Sequence, residues 1–493
     1  MGKIKSFFKK LNSASPAAKA SFWFVVSSVM LKGISFITTP IFTRLLGPED
    51  YGVTSVFVSW EGVISIFATL SLAGGVYNVA QTKYGDDIDG YTSSMMALTA
   101  TASLLVYSVC IGINLIFPEL FQLNTAYLVY MWVQTLTNAA ITFWLMRKRF
   151  VYDYKSVIIY TLANALLSPA IAIVGILLFP ENAAMAKVIG AGVSGIAIGA
   201  FMMVFWFVRG RKFFNAKYWG YALKFNVPLL PHLLAGTILG SSDKLMINSM
   251  VSTAAAGIYG IAHSITGLVG IITQAINHSL IPYTMQSIKC GNFRGLKRTV
   301  TACVAMVSVV CMCVMLFAKE GILIFATEEF IDAVWYIAPL TLSVLFSFIY
   351  GIVGNIMYYY EKTWQMSLVT IFLAAVNLVT NYFGIIWFGP VAAGYTTLIC
   401  SVLQMVIYYF VVRKYEKHLS EIVDLRWFFI IIAVYLGLMV YSTVFYDIFW
   451  ARFGLIVAAA VTVVALRKRI TRLFKSMSKN EEQQASDETS QLE

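Results

Sequence analysis

The sequence predicts an all-α polytopic membrane protein of about 14 transmembrane helices, and three observations predict it. The 493 residues are 59% hydrophobic and 12% charged, with a mean hydropathy of +0.76. A soluble globular domain carries about 25% charged residues, so this chain lacks the polar surface to cover one compact core. Apolar runs of about 20 residues, the length that crosses a bilayer, recur along the chain with short connections. The basic residues alternate with those runs, as the positive-inside rule requires.

The runs read as spans over 20–46, 51–77, 92–117, 125–146, 156–179, 185–208, 222–242, 254–282, 299–318, 333–357, 365–387, 391–412, 427–445 and 449–466. After even-numbered spans come RKRFVYDYK (147–155), RGRKFFNAK (209–217), KCGNFRGLKR (289–298) and RKYEK (413–417), and the last span leads into RKRITRLFK (467–475). Connections after odd-numbered spans, such as FPELFQLN (117–124), FPENAAM (179–185) and WFGP (387–390), are nearly free of Lys and Arg. About 30 of the 36 basic residues fall on one side, which makes that side and both termini cytoplasmic.

Ahead of the first span, Ile4, Phe7, Phe8 and Leu11 recur at helical spacing among lysines, the pattern of a short helix on the cytoplasmic membrane surface over residues 1–19. That basic flank and the long apolar run after it, with no small-residue cleavage site, do not suit a cleaved signal. The closing segment SKNEEQQASDETSQLE is too polar to bury a core and is expected to be disordered. The net charge of +12 does not indicate nucleic acid, because the basic residues sit in short clusters between apolar runs. The six cysteines show no zinc-like spacing and read as packing residues. No metal site or cofactor is expected.

Polar residues at helical spacing mark candidate cavity walls. Ser28, Lys32, Ser35 and Thr39 share one face of the first span. Glu61 lies on a matching face of the second span with Thr54, Ser65 and Thr69. Lys32 and Glu61 both fall near mid-bilayer at 1.5 Å per residue. Their spacing allows either a structural ion pair or a hydrated cavity wall, since an intramembrane charge needs a partner in both cases. The eighth span carries Tyr259, His263, Thr266, Gly270, Thr273 and Asn277 on one face; Gln134, Asn138 and Thr142 lie on the fourth span, and Asn377 and Asn381 on the eleventh. Glu61 and His263 are the ion-coupling candidates. Pro228 and Pro231 each remove a backbone donor from the seventh span and mark a candidate hinge. Asp243 and Lys244 read as an exposed pair at the outer end of that span.

Two motifs mislead. GAGVSG (190–195) matches a dinucleotide-binding glycine pattern, but it lies inside a span with no strand before it, and close helix packing explains it better. DDID (86–89) resembles a metal-binding acidic pair but sits on a short cytoplasmic loop and reads as solvated. There is no P-loop, so ATP is not expected to drive the protein.

An ungapped internal repeat lays residues 46–66 over 251–271, with Gly52 on Gly257, Ser59 on Ser264, Gly62 on Gly267 and Ile66 on Ile271. Such repeats are common in transporters. The segment PIFTRLLGPEDYGVTSVF (40–57) resembles the first hairpin of Wzx-type oligosaccharide-lipid flippases, in the multidrug/oligosaccharidyl-lipid/polysaccharide exporter superfamily. DKLMINSMVSTAAAGIYGIA (243–262) resembles the matching segment of the second half, through Asp243, Lys244, Ile247, Gly257, Tyr259 and Ala262.

The resemblance implies two six-helix lobes in a V, here 20–217 and 218–417, followed by two further helices within 418–466 and a cytoplasmic tail over 467–493. It implies transfer of an undecaprenyl-diphosphate-linked oligosaccharide across a bacterial inner membrane, with H⁺ or Na⁺ as coupling ion and polysaccharide polymerase or assembly proteins as partners beside the membrane lipids. Under that reading Lys32 is the candidate partner of the diphosphate. A cation-coupled multidrug exporter of the same superfamily is the alternative. A membrane enzyme of the polymerase type would be expected to carry a large external loop, which this chain lacks.

Overall fold

The computed structural model describes residues 16–417, 419, 425–446, 448–455 and 457. The expected amphipathic segment over 1–19 and the polar tail over 467–493 lie wholly or almost wholly outside the described residues. Helices occupy nearly the whole of what is described, with no β-strand among the described residues. They are α1 (Pro16–Leu45), α2 (Pro48–Ala68), α3 (Val76–Lys83), α4 (Ile88–Ile116), α5 (Thr125–Phe150), α6 (Tyr154–Leu178), α7 (Ala183–Gly210), α8 (Ala216–Asn226), α9 (Leu230–Met250), α10 (Thr253–Lys289), α11 (Phe293–Leu316), α12 (Ala318–Phe325), α13 (Val334–Tyr359), α14 (Thr363–Phe388), α15 (Ala392–Arg413) and α16 (Leu425–Val444).

Every expected span from the first to the thirteenth overlies a helix, and the fourteenth begins as one at residue 449 before leaving the described residues. Ten helical segments among the described residues are long and apolar enough to cross a membrane. Local chemistry sets the boundaries. Pro48 opens α2 with Glu49 and Asp50 in its first turn, where the positive end of the helix dipole favours acids. Asn124, Asp153, Asn215 and Asn292 cap α5, α6, α8 and α11 by accepting a backbone N–H. The Asp153 carboxyl is held below its ordinary range by hydrogen bonds from Lys148 and Ser156. Gly389, at φ +75°, ends α14 just before Pro390.

Two spans differ from expectation. The second stops at Ala68 instead of continuing to residue 77, because Leu70 (φ 49°) and Ser71 (φ 48°) adopt left-handed backbone. Such non-glycine positions persist only where surroundings over-determine them. Here Asn226, 2% exposed, donates to the Leu70 carbonyl at 2.9 Å and accepts from the Val76 N–H at 3.1 Å. One side chain thus serves a carbonyl at the start of the break and an N–H at its end. The seventh span runs over 216–250 and is interrupted by a 3₁₀ turn at Val227–Leu229, where Pro228 lies.

The chain divides into two compact units, residues 1–260 and 261–493. In the first, α7 packs against α4, α5 and α6, α2 packs on α9, and α1 leans on α6 far more than on α2. A cluster with Tyr77, Tyr91, Met95, Phe143 and Trp206 fills the end that the charge bias places in the cytoplasm. The second unit is built around α13, whose Leu342, Phe346, Ile349 and Ile356 are buried against α11, α15 and α16. Arg452, 2% exposed, anchors the chain beyond α16 by giving hydrogen bonds of 2.7 Å to the Leu316 carbonyl and to both carboxylate oxygens of Glu320. Burial raises the Glu320 carboxyl, and the Arg452 hydrogen bonds more than reverse this, leaving it below the ordinary range.

Candidate functional site

The side chains of Ser28 and Lys32 lie outside the described residues; the backbone places both within α1. Ser35 is exposed and Thr39 half-buried, and Gly33 faces open space with no atom within 4 Å of where a Cβ would sit. The polar face of α1 is thus uncovered at Ser35 and partly covered at Thr39, and Gly33, on another side of the helix, also faces open space. On α2, Glu61 is half-buried and within electrostatic reach of the Tyr107 and Tyr130 phenols. No described side chain forms an ion pair with it.

Around Glu61 the interior of the first unit is polar. The Tyr107 hydroxyl bonds Thr135 at 2.8 Å, and Tyr130 donates to the Ile189 carbonyl at 3.0 Å. The Gln134 amide oxygen is buried and accepts no hydrogen bond among the described residues. Ser194 donates to Asn164 at 2.9 Å, and Thr142 to the Asn138 carbonyl at 2.7 Å. The glycines of α7 make room for this layer. A Cβ at Gly192 would fall 2.1 Å from the Tyr130 hydroxyl oxygen, one at Gly199 2.4 Å from the Thr137 carbonyl, and one at Gly190 2.5 Å from the Ala172 Cα. The glycine pattern of 190–195 is thus a helix-packing face, as expected. The layer offers neutral hydrogen-bonding groups with one acid among them.

The stripe on α10 is mostly engaged in packing. Tyr259, 1% exposed, donates to Asp243; Thr266 and Thr273 return their hydroxyls to their own helix; Asn277 accepts from Asn355 at 2.8 Å. His263 is half-buried. Asn377 and Asn381 are fully buried between α14 and α15, where Asn381 bonds Asn377 and Thr396. Asp243 is not part of an exposed pair: it is 4% exposed and receives the Tyr259 hydroxyl, which joins two residues of the 243–262 motif. Pro228 and Pro231 are both exposed at the 3₁₀ interruption.

The structure also corrects the reading of the acidic loop. Asp87 takes hydrogen bonds from Lys212, at 2.6 Å, and Tyr218; Asp89, inside the first turn of α4, takes them from Arg209, at 2.6 Å, and Arg147. Acids that read as solvated instead tie together the basic ends of α5 and α7 and the approach to α8. Their partners are more than 50 residues away in sequence, so no local pattern could show them. Lys187 was also missed, because it stands two residues beyond the loop FPENAAM. Its ammonium donates to Thr54 at 3.0 Å and lies over the rings of Tyr51, at 4.3 Å, and Phe42, at 4.9 Å.

The family model for polysaccharide biosynthesis proteins matches residues 17–288. An uncharacterized membrane protein of Haemophilus influenzae is 20% identical over 410 residues, covering 81% of this chain and 98% of its own. A protein of the Lsg locus of the same organism is 22% identical over 423 residues, covering 81% and 99%. Among solved structures, a lipid II flippase MurJ in an inward closed conformation superposes with a TM-score of 0.68 at 14% identity, over 91% of this chain and 99% of that one. An inward-facing multidrug resistance MATE transporter of the MOP superfamily superposes with a TM-score of 0.58 at 14% identity, over 79% and 95%. At these identities the likeness establishes the fold, which is the one shared by these flippases and exporters.

Proposed function

Because the chain belongs to the polysaccharide biosynthesis protein family, we propose that it is a flippase that carries an undecaprenyl-diphosphate-linked oligosaccharide from the cytoplasmic to the outer leaflet of the bacterial inner membrane. It works as a transporter and not as an enzyme, by alternating access coupled to H⁺ or Na⁺. The observation that supports this most is the chemistry at bilayer depth in the first unit. Two phenols lie within electrostatic reach of Glu61, hydroxyls and a buried amide belong to the same interior, and the polar face of α1, which carries Lys32, is uncovered at Ser35. A sugar-phosphate head group needs many neutral hydrogen-bonding partners and few cations. Lys32 serves the diphosphate; Glu61 is the first candidate for the coupling ion and His263 the second. Export of the glycan then passes to polymerase or assembly proteins.

One observation favours a second reading. Glu61 close to two phenols is also what a cationic drug would meet in a multidrug exporter. Replacement of Lys32 separates the two. In proteoliposomes carrying a fluorescent polyprenyl-diphosphate oligosaccharide, Lys32→Ala abolishes flipping and Lys32→Arg retains part of it. Lys32→Met/Glu61→Gln does not restore it, although that double replacement removes the cost of an unpaired charge. Full flipping by the double variant at normal protein level shows that the lysine only holds two helices together. Export of a cationic dye by wild type and Lys32→Ala alike, with no lipid moved by the wild type, shows the exporter instead.

A further inference from the structure

Six basic residues escape the cytoplasmic clusters: Lys32, Arg44, Lys187, Lys244, Lys319 and Arg452. Three of them have an acid at hand. Arg452 grips Glu320, Lys319 lies within electrostatic reach of Glu320, and Lys244 interacts with Asp243. Lys187 does not: among the described residues no carboxylate forms an ion pair with it, and it is held by one hydroxyl and two aromatic faces. It is the fifth residue of α7, about 6 Å along the helix from its start at 1.5 Å per residue. The loop before α7 is one of those that the charge bias places outside.

Three features of this position favour an anion. The amino end of α7, which carries no acid in its first turn, is beside it, so the positive end of that helix dipole lies close by. The ammonium is pre-aimed: Thr54 spends its own hydrogen on the Tyr51 carbonyl at 2.8 Å, and its remaining lone pair receives Lys187. The lysine is densely packed about its ammonium yet keeps part of its side chain open, which leaves one side for a ligand. A purely structural contact with Tyr51 and Phe42 would be made as well by methionine, without desolvating a charge. The rings hold the ammonium more weakly than a charge-assisted hydrogen bond to a phosphate oxygen would.

We infer that Lys187, with Thr54 and Tyr51, is an outer-side binding site for the diphosphate of the polyprenyl-linked substrate, separate from Lys32. This rests on the flippase reading and adds a second phosphate ligand to it. The test is titration of undecaprenyl diphosphate, without sugar, onto the full-length protein in nanodiscs of neutral phosphatidylcholine, followed by native mass spectrometry. Lys187→Met is expected to weaken binding about tenfold and Lys187→Arg less than about threefold, as the loss or retention of one charge-assisted contact implies. Tryptophan-fluorescence melting reports whether each variant is folded. Should Lys187→Met fail to fold, Thr54→Val keeps the cation, removes its orienting acceptor, and is expected to weaken binding about threefold. Equal binding by wild type and the folded variant overturns the assignment of Lys187 and leaves the flippase reading standing. Absence of binding to the wild-type protein overturns both. Competition by phosphatidylglycerol as effective as by the diphosphate itself overturns the assignment in favour of an ordinary phospholipid head group.

Discussion

A Cβ on Gly52 would lie 2.0 Å from the Thr253 carbonyl oxygen, and one on Gly257 2.1 Å from that of Pro48. Gly52 aligns with Gly257 in the internal repeat, and Pro48 aligns with Thr253 at the same offset. The contact is therefore reciprocal, as at a twofold axis, where residue i meets j′ and j meets i′. The sequence shows the two glycines as equivalents, but it does not show that they meet. Gly52→Ala is expected to destabilise the protein by about 1–3 kcal/mol through overpacking against backbone that cannot give way. Gly62→Ala is the control. Its Cβ would meet only the Thr237 methyl at 3.6 Å, so there the helix propensity of alanine should leave stability unchanged or raised. Equal melting temperatures for the two variants would show that the contact of Gly52 with Thr253 is looser than its geometry indicates.

At the scale of elements, both interruptions involve the same residue. Asn226 closes α8, clamps the left-handed turn after α2, and stands two residues before Pro228. The prolines were legible as breakers from sequence alone, because a missing N–H acts wherever it is placed. The break after Ala68 was not, since Leu70 and Ser71 carry no local signal for left-handed backbone and the side chain that clamps the turn stands about 150 positions away. Replacing Pro228 and Pro231 together with alanine should restore two donors, straighten the segment 216–250, and slow flipping several-fold while expression stays normal. The rate in proteoliposomes checks this; an unchanged rate makes the bend a static feature.

At the scale of the whole molecule, the charge alternation predicts both termini on the cytoplasmic side. Cysteine labelling in a background freed of the six native cysteines tests it. A reporter at Asn182 should label from outside and one at Phe213 only after the membrane is opened; the reverse pattern would sink the topology. Phe213 is preferred to its neighbour Asn215, whose side chain caps α8 through the Tyr218 N–H. By itself the sequence determined the membrane class, the succession of apolar helices and the family resemblance, and it predicts the sidedness. These follow from local quantities: run length, net charge of a loop, and a short motif read in order. Tertiary structure alone decided which polar groups are already engaged. It placed Asp243 under Tyr259, set Asp87 and Asp89 among the basic ends of distant helices, and left Lys187 with a hydroxyl and two rings. Helical periodicity can say that polar residues share a face, but whether that face meets a neighbour or open space depends on helices far away in the chain, and no local pattern encodes it.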